Sequence, residues 1–314
     1  MKFVHGGGKG RAVRVAVAAV GVAVAATLGS SRAEGQTPQE CRGEIVTIAG
    51  TSGDDTITGT AAPDVISGLE GNDVIDGGDG SDLICGGLGN DSLQGGPGNE
   101  DGLSGDDGDD RLDGGAGTDD YAFYDYFAPG PISANLALGV VTGWGTDTVT
   151  AIEGIVGSSF PDSITGDAAI NTLVGYNGDD TIDGGGGYDW LSGEGGNDLL
   201  IGGTGIDVAY YWYSPRRVKG NLARGTVTGW GTDRLRSVGD LDGSSYGDVL
   251  TGDRRANWLS GFGGNDVLSG SGGPDILEGG SGKDRLDGGP GRDRLNGGPG
   301  KDVCLNGERN VKCP

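Results

Sequence analysis

Histidine is almost missing from this chain. The 314 residues contain one, His5, with a single methionine and only 6% aromatics. Beyond residue 5 there is therefore no Ser-His or Cys-His nucleophile and no histidine metal centre. No EF-hand loop occurs, and the many GxGxxG matches lack the following helix that a dinucleotide site needs. Cations are scarce too, 22 Lys+Arg against 46 Asp+Glu. Five of them (Lys2, Lys9, Arg11, Arg14 and Arg32) fall in the first 33 residues, which hold no acid. Residues 34–314 thus carry 17 cations against 46 acids, a net charge of −29. That balance argues against nucleic acid and anionic membranes as partners and suits a cation. A monomer is expected.

Long apolar runs are also missing, apart from Val15–Leu28 behind the basic start, ahead of Ser31-Arg32-Ala33. Residues 1–33 read as a secretory signal peptide, which makes the protein secreted and extracellular. The alternative is a membrane anchor, against which the run is short and broken by Gly21. Four cysteines remain, Cys41, Cys85, Cys304 and Cys313, without CxxC spacing. An even count in a secreted chain points to two disulfides and away from zinc. Three pairings are open; the one expected is Cys41–Cys85 with Cys304–Cys313, one at each end.

What the chain has is glycine, 71 residues of it, on a period of nine. Residues 68–94 read GLEGNDVID, GGDGSDLIC, GGLGNDSLQ, an approximation to G-G-x-G-x-D-x-U-x with U aliphatic. Units start at Gly50, Gly59, Gly68, Gly77, Gly86, Gly95, Gly105 and Gly114; at Gly157, Gly166, Gly175, Gly184, Gly193 and Gly202; and at Gly243, Gly252, Gly261, Gly270, Gly279, Gly288 and Gly297. The unit at Gly95 has ten residues. The organisation expected is a cap over 34–49, repeat blocks over 50–119, 157–210 and 243–305, intervening segments over 120–156 and 211–242, and a C-terminal cap over 306–314. The two intervening segments are copies, with Gly143-Trp144-Gly145-Thr146-Asp147 matching Gly229-Trp230-Gly231-Thr232-Asp233. They read as wider coils of one solenoid. The fold class is all-β: a parallel β-roll or β-helix solenoid of Gly-Asp-rich nonapeptides with two wider coils.

In each unit x-U-x forms a three-residue strand with U inward, and the first six residues form a turn. Glycine at positions 1, 2 and 4 permits positive φ and leaves carbonyls uncovered. Two units make a coil of 18 residues, so each turn stacks on the turn two units away. Carbonyls and carboxylates then meet as hard oxygen ligands suited to calcium. The candidate ligands are Asp55, Asp64, Asp73, Asp82, Asp91, Asp101, Asp110, Asp119, Asp180, Asp189, Asp198, Asp207, Asp266, Asp275, Asp284, Asp293 and Asp302. The stacked pairs expected are Asp73 with Asp91, Asp180 with Asp198, Asp189 with Asp207, Asp266 with Asp284, Asp275 with Asp293, and Asp284 with Asp302. Without the ion these carboxylates would repel, so folding should be coupled to multiple Ca2+. One site per stacked pair gives an upper bound of about 15, reduced by Asn171, Asn257 and turns without a second glycine. The alternative is Asp as a plain turn residue, weightier in the third block, where Lys283, Arg285, Arg292, Arg294 and Lys301 could supply counter-charge.

These repeats resemble RTX (repeats-in-toxin) nonapeptide proteins over about two thirds of the chain beyond residue 33. The resemblance implies a calcium-loaded parallel β-roll, disordered at low calcium and folded outside the cell. The signal segment and the cysteine-closed C-terminus depart from the exported toxins. They resemble small secreted actinobacterial RTX-repeat proteins, which carry no catalytic domain. The function expected is a non-enzymatic calcium-binding β-roll, structural, adhesive or calcium-sequestering. The alternative is a carbohydrate-binding or hydrolytic protein that uses the aromatic clusters Tyr121–Phe127 and Tyr210–Tyr213 with Trp144 and Trp230, whose simpler reading is strand packing. Arg216, Arg217, Lys219, Arg224, Arg234, Arg236, Arg254 and Arg255 are expected to pair with surrounding acids; the alternative is an anionic cell-wall or extracellular glycan.

Overall fold

The structure is a computed structural model and describes residues 40–125 and 128–313. The expected signal segment, residues 34–39 of the first cap, and Tyr126 and Phe127 lie outside the described residues. Among the described residues there is no helix.

The chain winds as a β-solenoid. Thr56–Thr58 runs parallel to Val74–Asp76, with Ile57 beside Ile75. Val65–Glu70 runs parallel to Leu83–Leu88, with Ile66 beside Ile84. Each step along a sheet is thus 18 residues, or two nonapeptides, one strand in each of two sheets. One sheet has 14 strands, from Ile48–Ala49 to Arg309–Val311, and the other has 17. Alternation sends only U inward, so Ile66, Ile75, Ile84, Leu93, Leu191, Leu268 and Leu295 share one continuous core. Each such side chain contributes about 1.5–3 kcal/mol on burial. That ladder is what lets three-residue strands persist in a chain so poor in aromatics.

Glycine has two different duties in the turns. Position 1 does not require positive φ; it is too crowded for a side chain. A Cβ on Gly77 would lie 2.6 Å from the Gly95 carbonyl oxygen of the next coil and 2.6 Å from Asp82 Oδ2. Position 2 is left-handed in many turns, as at Gly78 with φ 92°.

The two intervening segments are not uniformly wider coils. Each adds strands to one sheet only. After Tyr121–Phe123 the chain leaves the 14-stranded sheet and forms Ser133–Asn135, Val140–Thr142 and Thr146–Thr150. These make an antiparallel meander joined at its outer edges to the preceding and following coils. The other sheet advances by the single strand Gly154–Val156. Residues 211–242 repeat this with Lys219–Asn221, Thr226–Thr228 and Thr232–Arg236. Tyr124 and Tyr211 turn into the solenoid core at the start of each excursion.

The ends are fastened as well. Disulfides join Cys41 to Cys85 and Cys304 to Cys313. Ile48 packs on the first core layer, whereas Ile45, three residues earlier in the cap, is 65% exposed. Arg42 donates to Asp125 and lies 3.8 Å over the Phe123 ring, which ties the N-terminal cap to the first excursion.

Candidate metal centre

The carboxylates form two ladders, one along each line of turns. The N–H of Asp73 donates to Oδ1 of Asp91 at 2.8 Å, and that of Asp91 to Oδ1 of Asp110 at 2.8 Å. In the other ladder Asp64 donates to Asp82, Asp82 to Asp101 and Asp101 to Asp120, at 2.8–2.9 Å. All six stacked pairs expected from the sequence meet in this way, at 2.8–3.0 Å. The contact is therefore carboxylate to backbone N–H, which relieves part of the expected repulsion. One oxygen of each group is accounted for.

The other oxygen divides the turns into two kinds. In fifteen units Oδ2 is buried and has no hydrogen-bond partner: Asp73, Asp82, Asp91, Asp101, Asp110 and Asp120; Asp180, Asp189, Asp198 and Asp207; Asp266, Asp275, Asp284, Asp293 and Asp302. In those same fifteen units the residue at position 2 is left-handed. Nine are glycines, but Leu69, Asp106, Tyr176, Glu194, Phe262 and Ser271 adopt it too, with φ between 57° and 89°. Each such non-glycine residue costs about 1–2 kcal/mol. A strained conformation kept across different side chains points to a demand of the site.

In the other six units position 2 is Thr51, Thr60, Ser158, Asp167, Ser244 or Asp253, and none of these is left-handed. Their N–H groups donate to the position-6 side chain of their own turn, Asp55, Asp64, Asp162, Asn171, Asp248 and Asn257, at 2.6–2.7 Å. The Thr60 hydroxyl adds a bond to Asp64 at 2.8 Å. These turns close on themselves. The excursions close the ladder another way: Tyr124 Oη donates to Asp147 Oδ2 and Tyr211 Oη to Asp233 Oδ2, both at 2.8 Å.

Asp119 does not occupy the ladder position; Asp120 does. The unit at Gly114 has an extra residue in its turn, as the unit at Gly95 has, and Glu100 and Asp119 absorb it, both at φ 65°. The string Thr118-Asp119-Asp120 matches Asn99-Glu100-Asp101 and carried that signal. The structure also adds Asp162 and Asp248, and Asp147 and Asp233 from the excursions, to the rows. The last two each end a G-T-D string that repeats positions 4 to 6 of the nonapeptide. Glu153 and Glu308 cap the second ladder by accepting from the N–H groups of Asp120 and Asp293.

Burial dominates the electrostatics of the rows. It raises Asp82 and Asp91 to about 6, and Asp110, Asp120, Asp180, Asp189 and Asp275 to about 7. Asp266 is raised to about 8, by burial first and then by the charges of Asp248 and Asp284. The ladder N–H bond opposes the shift in each case. Desolvation thus pushes a bare row toward its protonated form, and a bound cation would remove that penalty on the charged form.

Among the described residues no three Asp, Glu, His or Cys side chains converge on one point. Each open turn brings one buried, unpartnered carboxylate oxygen to the row, and backbone carbonyls beside it are the further hard oxygens on offer. The glycine contacts show where those are. A Cβ on Gly184 would lie 2.5 Å from Asp189 Oδ2 and 2.8 Å from the Gly202 carbonyl; one on Gly279 would lie 2.6 Å from Asp284 Oδ2 and 2.7 Å from the Gly297 carbonyl. Carboxylate and carbonyl oxygens from adjacent coils therefore flank the same bare Cα.

The profile of the RTX calcium-binding nonapeptide repeat (4 copies) matches residues 49–84, 86–121, 156–191, 177–209, 242–277 and 269–304. Together these cover 189 of the 314 residues and omit the core of both excursions. The chain belongs to this RTX repeat family. No curated protein sequence matches it. The RTX turns fit the calcium their family implies: the open oxygens are anionic or carbonyl, hard, and brought together by glycines that keep the space clear.

The other sequence candidates are placed differently. The third-block cations do not neutralise the rows, since Lys283, Arg285, Arg292, Arg294 and Lys301 are exposed and, among the described residues, none is within ion-pairing distance of an acid. Of the basic group from Arg216 to Arg255, among the described residues only Arg255 forms an ion pair, with Asp253, while the charge of Arg217 acts on Asp248. The aromatic clusters mostly pack. Tyr121 and Tyr210 are buried on the outer face of the 14-stranded sheet, and Trp212 lies 4.6 Å from Tyr210 and 5.4 Å from Trp190 between ring centroids.

Proposed function

We propose that this RTX β-roll is a secreted, non-enzymatic protein whose Asp/Gly turns bind several calcium ions, with a structural, adhesive or calcium-sequestering role outside the cell. The fifteen buried, unpartnered Asp Oδ2 atoms carry this reading. A buried anionic oxygen without a partner is costly, and a calcium ion supplies the missing partner. The non-enzymatic part rests on chemistry. No histidine lies beyond His5. Gly243–Gly247 (GSSYG) has G-x-S-x-G spacing around Ser245, but the strand Val249–Thr251 follows it in place of the helix a nucleophile elbow needs. Far-UV circular dichroism during a calcium titration tests the reading. A gain of β-structure or thermal stability is expected at roughly 10⁻⁴–10⁻³ M, the range of extracellular modules. No change in either would overturn it.

A second reading is favoured by charge. Fifteen of the 17 cations beyond residue 33 lie from Arg216 onward, and all fifteen are exposed. Nine of the thirteen acids in that part are buried, the ladder aspartates among them. Arg294 and Arg309 stand side by side on neighbouring parallel strands. Like charges so placed are unfavourable without an anion. The last third would then contact an acidic extracellular glycan. Retention on dextran sulfate but not on dextran, lost in high salt, is the expected result; equal passage through both removes this reading.

A further inference from the structure

The two kinds of turn are not mixed at random along the solenoid. Each repeat block opens with one complete coil of self-closed turns: Asp55 and Asp64, then Asp162 and Asn171, then Asp248 and Asn257. Open carboxylates follow, six in the first block, four in the second and five in the third. In the ladder through Asp73, the first two runs end at a tyrosine-closed aspartate, Asp147 or Asp233. In the other ladder, the coil after each excursion has Asn in place of Asp. The amide of Asn257 donates to the Gly239 carbonyl at 2.8 Å, and that of Asn171 to the Glu153 carbonyl at 3.4 Å. At those two positions no anionic oxygen is left for a cation.

We propose that calcium loads this chain in three separate blocks, residues 68–123, 175–210 and 261–305, divided by metal-free seams over 133–174 and 219–260 that stay folded when calcium is removed. The inference rests on the calcium-binding reading of the open turns. The seams hold together by ordinary means. Every ladder side chain in them has its own hydrogen-bond donor or acceptor. Each contains an antiparallel meander, which closes locally and needs no ion. Each also has its own buried layer, Val141, Val149, Ile155 and Ile164 in the first and Val227, Leu235, Leu241 and Leu250 in the second. The open blocks contain only parallel coils, whose buried Oδ2 atoms are left bare without the ion. A seam therefore offers a folded edge on which a block can stack as calcium arrives, and the coils beside the seams need not melt together with the rest.

Hydrogen exchange of the full-length chain, read by mass spectrometry in chelator and in millimolar calcium, tests this directly. In chelator, amides in 133–174 and 219–260 are expected to exchange at least about tenfold more slowly than those in 175–210 and 261–305. Calcium should slow the blocks and leave the seams nearly unchanged. Uniform exchange along the whole chain in chelator, with uniform protection in calcium, overturns the seams while leaving calcium binding intact. No effect of calcium anywhere overturns the calcium-binding reading and the seams with it. Tyr211→Phe adds an internal control: faster exchange in chelator is expected in 219–260 and not in 133–174. If Tyr211→Phe leaves 219–260 unchanged, the tyrosine closure is not what holds the seam.

Discussion

Tyr124 Oη sits 2.8 Å from Asp147 Oδ2, and Asp147 Oδ1 in turn receives the N–H of Asp110. This one carboxylate is satisfied on both oxygens by the chain itself, while the neighbour it stacks on, Asp110, has a bare Oδ2. The tyrosine hydroxyl thus stands where other turns require a cation. Tyr124→Phe should destabilise the protein in chelator by about 1–3 kcal/mol, because a buried oxygen loses its donor without leaving the core. Thermal unfolding in chelator measures it; an unchanged midpoint would mean that water already serves Asp147.

The raised aspartates fix a pH dependence for the metal-free protein. Folded-state values of about 6 to 8 lie above the ordinary 3.8, and burial is the leading cause. The folded rows therefore hold protons that the unfolded chain has released. Their stabilising contribution is fully present below about pH 4 and is lost as pH rises through about 6 to 8. In chelator, thermal stability should rise as pH is lowered from about 8 to about 5, the reverse of a protein held by salt bridges. Calcium should flatten this slope, since it replaces the protons. A metal-free form that weakens on acidification would show that the open carboxylates are ionised and solvated.

The two turn classes predict opposite outcomes for one kind of substitution. Ser271 is left-handed at φ 75° in an open turn, so Ser271→Gly relieves backbone strain and should stabilise by about 0.5–1 kcal/mol. Thr60 closes its turn on Asp64 through both N–H and hydroxyl, so Thr60→Gly should cost about 1 kcal/mol. Denaturant midpoints of the two variants, compared in the same buffer, check the signs.

Much of this was legible in the sequence, for a physical reason. A period of nine with U every ninth residue allows few arrangements other than a stack, and Asp73, Asp91 and their partners fall into contact by counting alone. Asp120 was missed because an inserted residue shifts the count by one, and only the comparison with Asn99-Glu100-Asp101 reveals it. The division into open and closed turns was hidden differently. Thr51, Ser158 and Ser244 look like decayed glycines, as do Leu69 and Tyr176, yet the first three close their turns and the last two keep the left-handed form. Side-chain chemistry accounts for these five, since a hydroxyl at position 2 can bond within its own turn and an apolar or aromatic group cannot, but residue type does not sort every turn, because Ser271, Asp106 and Glu194 are left-handed in open turns. The meanders were unreadable as such because β-formers between glycines do not announce antiparallel pairing.

Asn171 and Asn257 show what the rows do when a carboxylate is replaced, and they set the sign of a further substitution. Asp189 accepts the Asn171 N–H through Oδ1 at 2.9 Å and leaves Oδ2 bare. In Asp189→Asn the first oxygen is kept and the bare one becomes an amide donor. The carbonyl beside that position is Gly202 of the next coil: a Cβ on Gly184 would lie 2.5 Å from Asp189 Oδ2 and 2.8 Å from the Gly202 oxygen. A buried anion and an unmet acceptor are removed together, so the variant should gain about 1–2 kcal/mol of stability in chelator. In calcium the same change removes an anionic ligand. Stabilisation by the ion should then fall by about 1.4 kcal/mol for each tenfold loss of affinity at that site. The substitution is therefore expected to raise the unfolding midpoint without calcium and lower the gain that calcium brings. Asp55→Asn, in a turn already closed by Thr51, should leave the calcium gain unchanged. If both variants reduced that gain equally, the open and closed turns would be binding the ion alike.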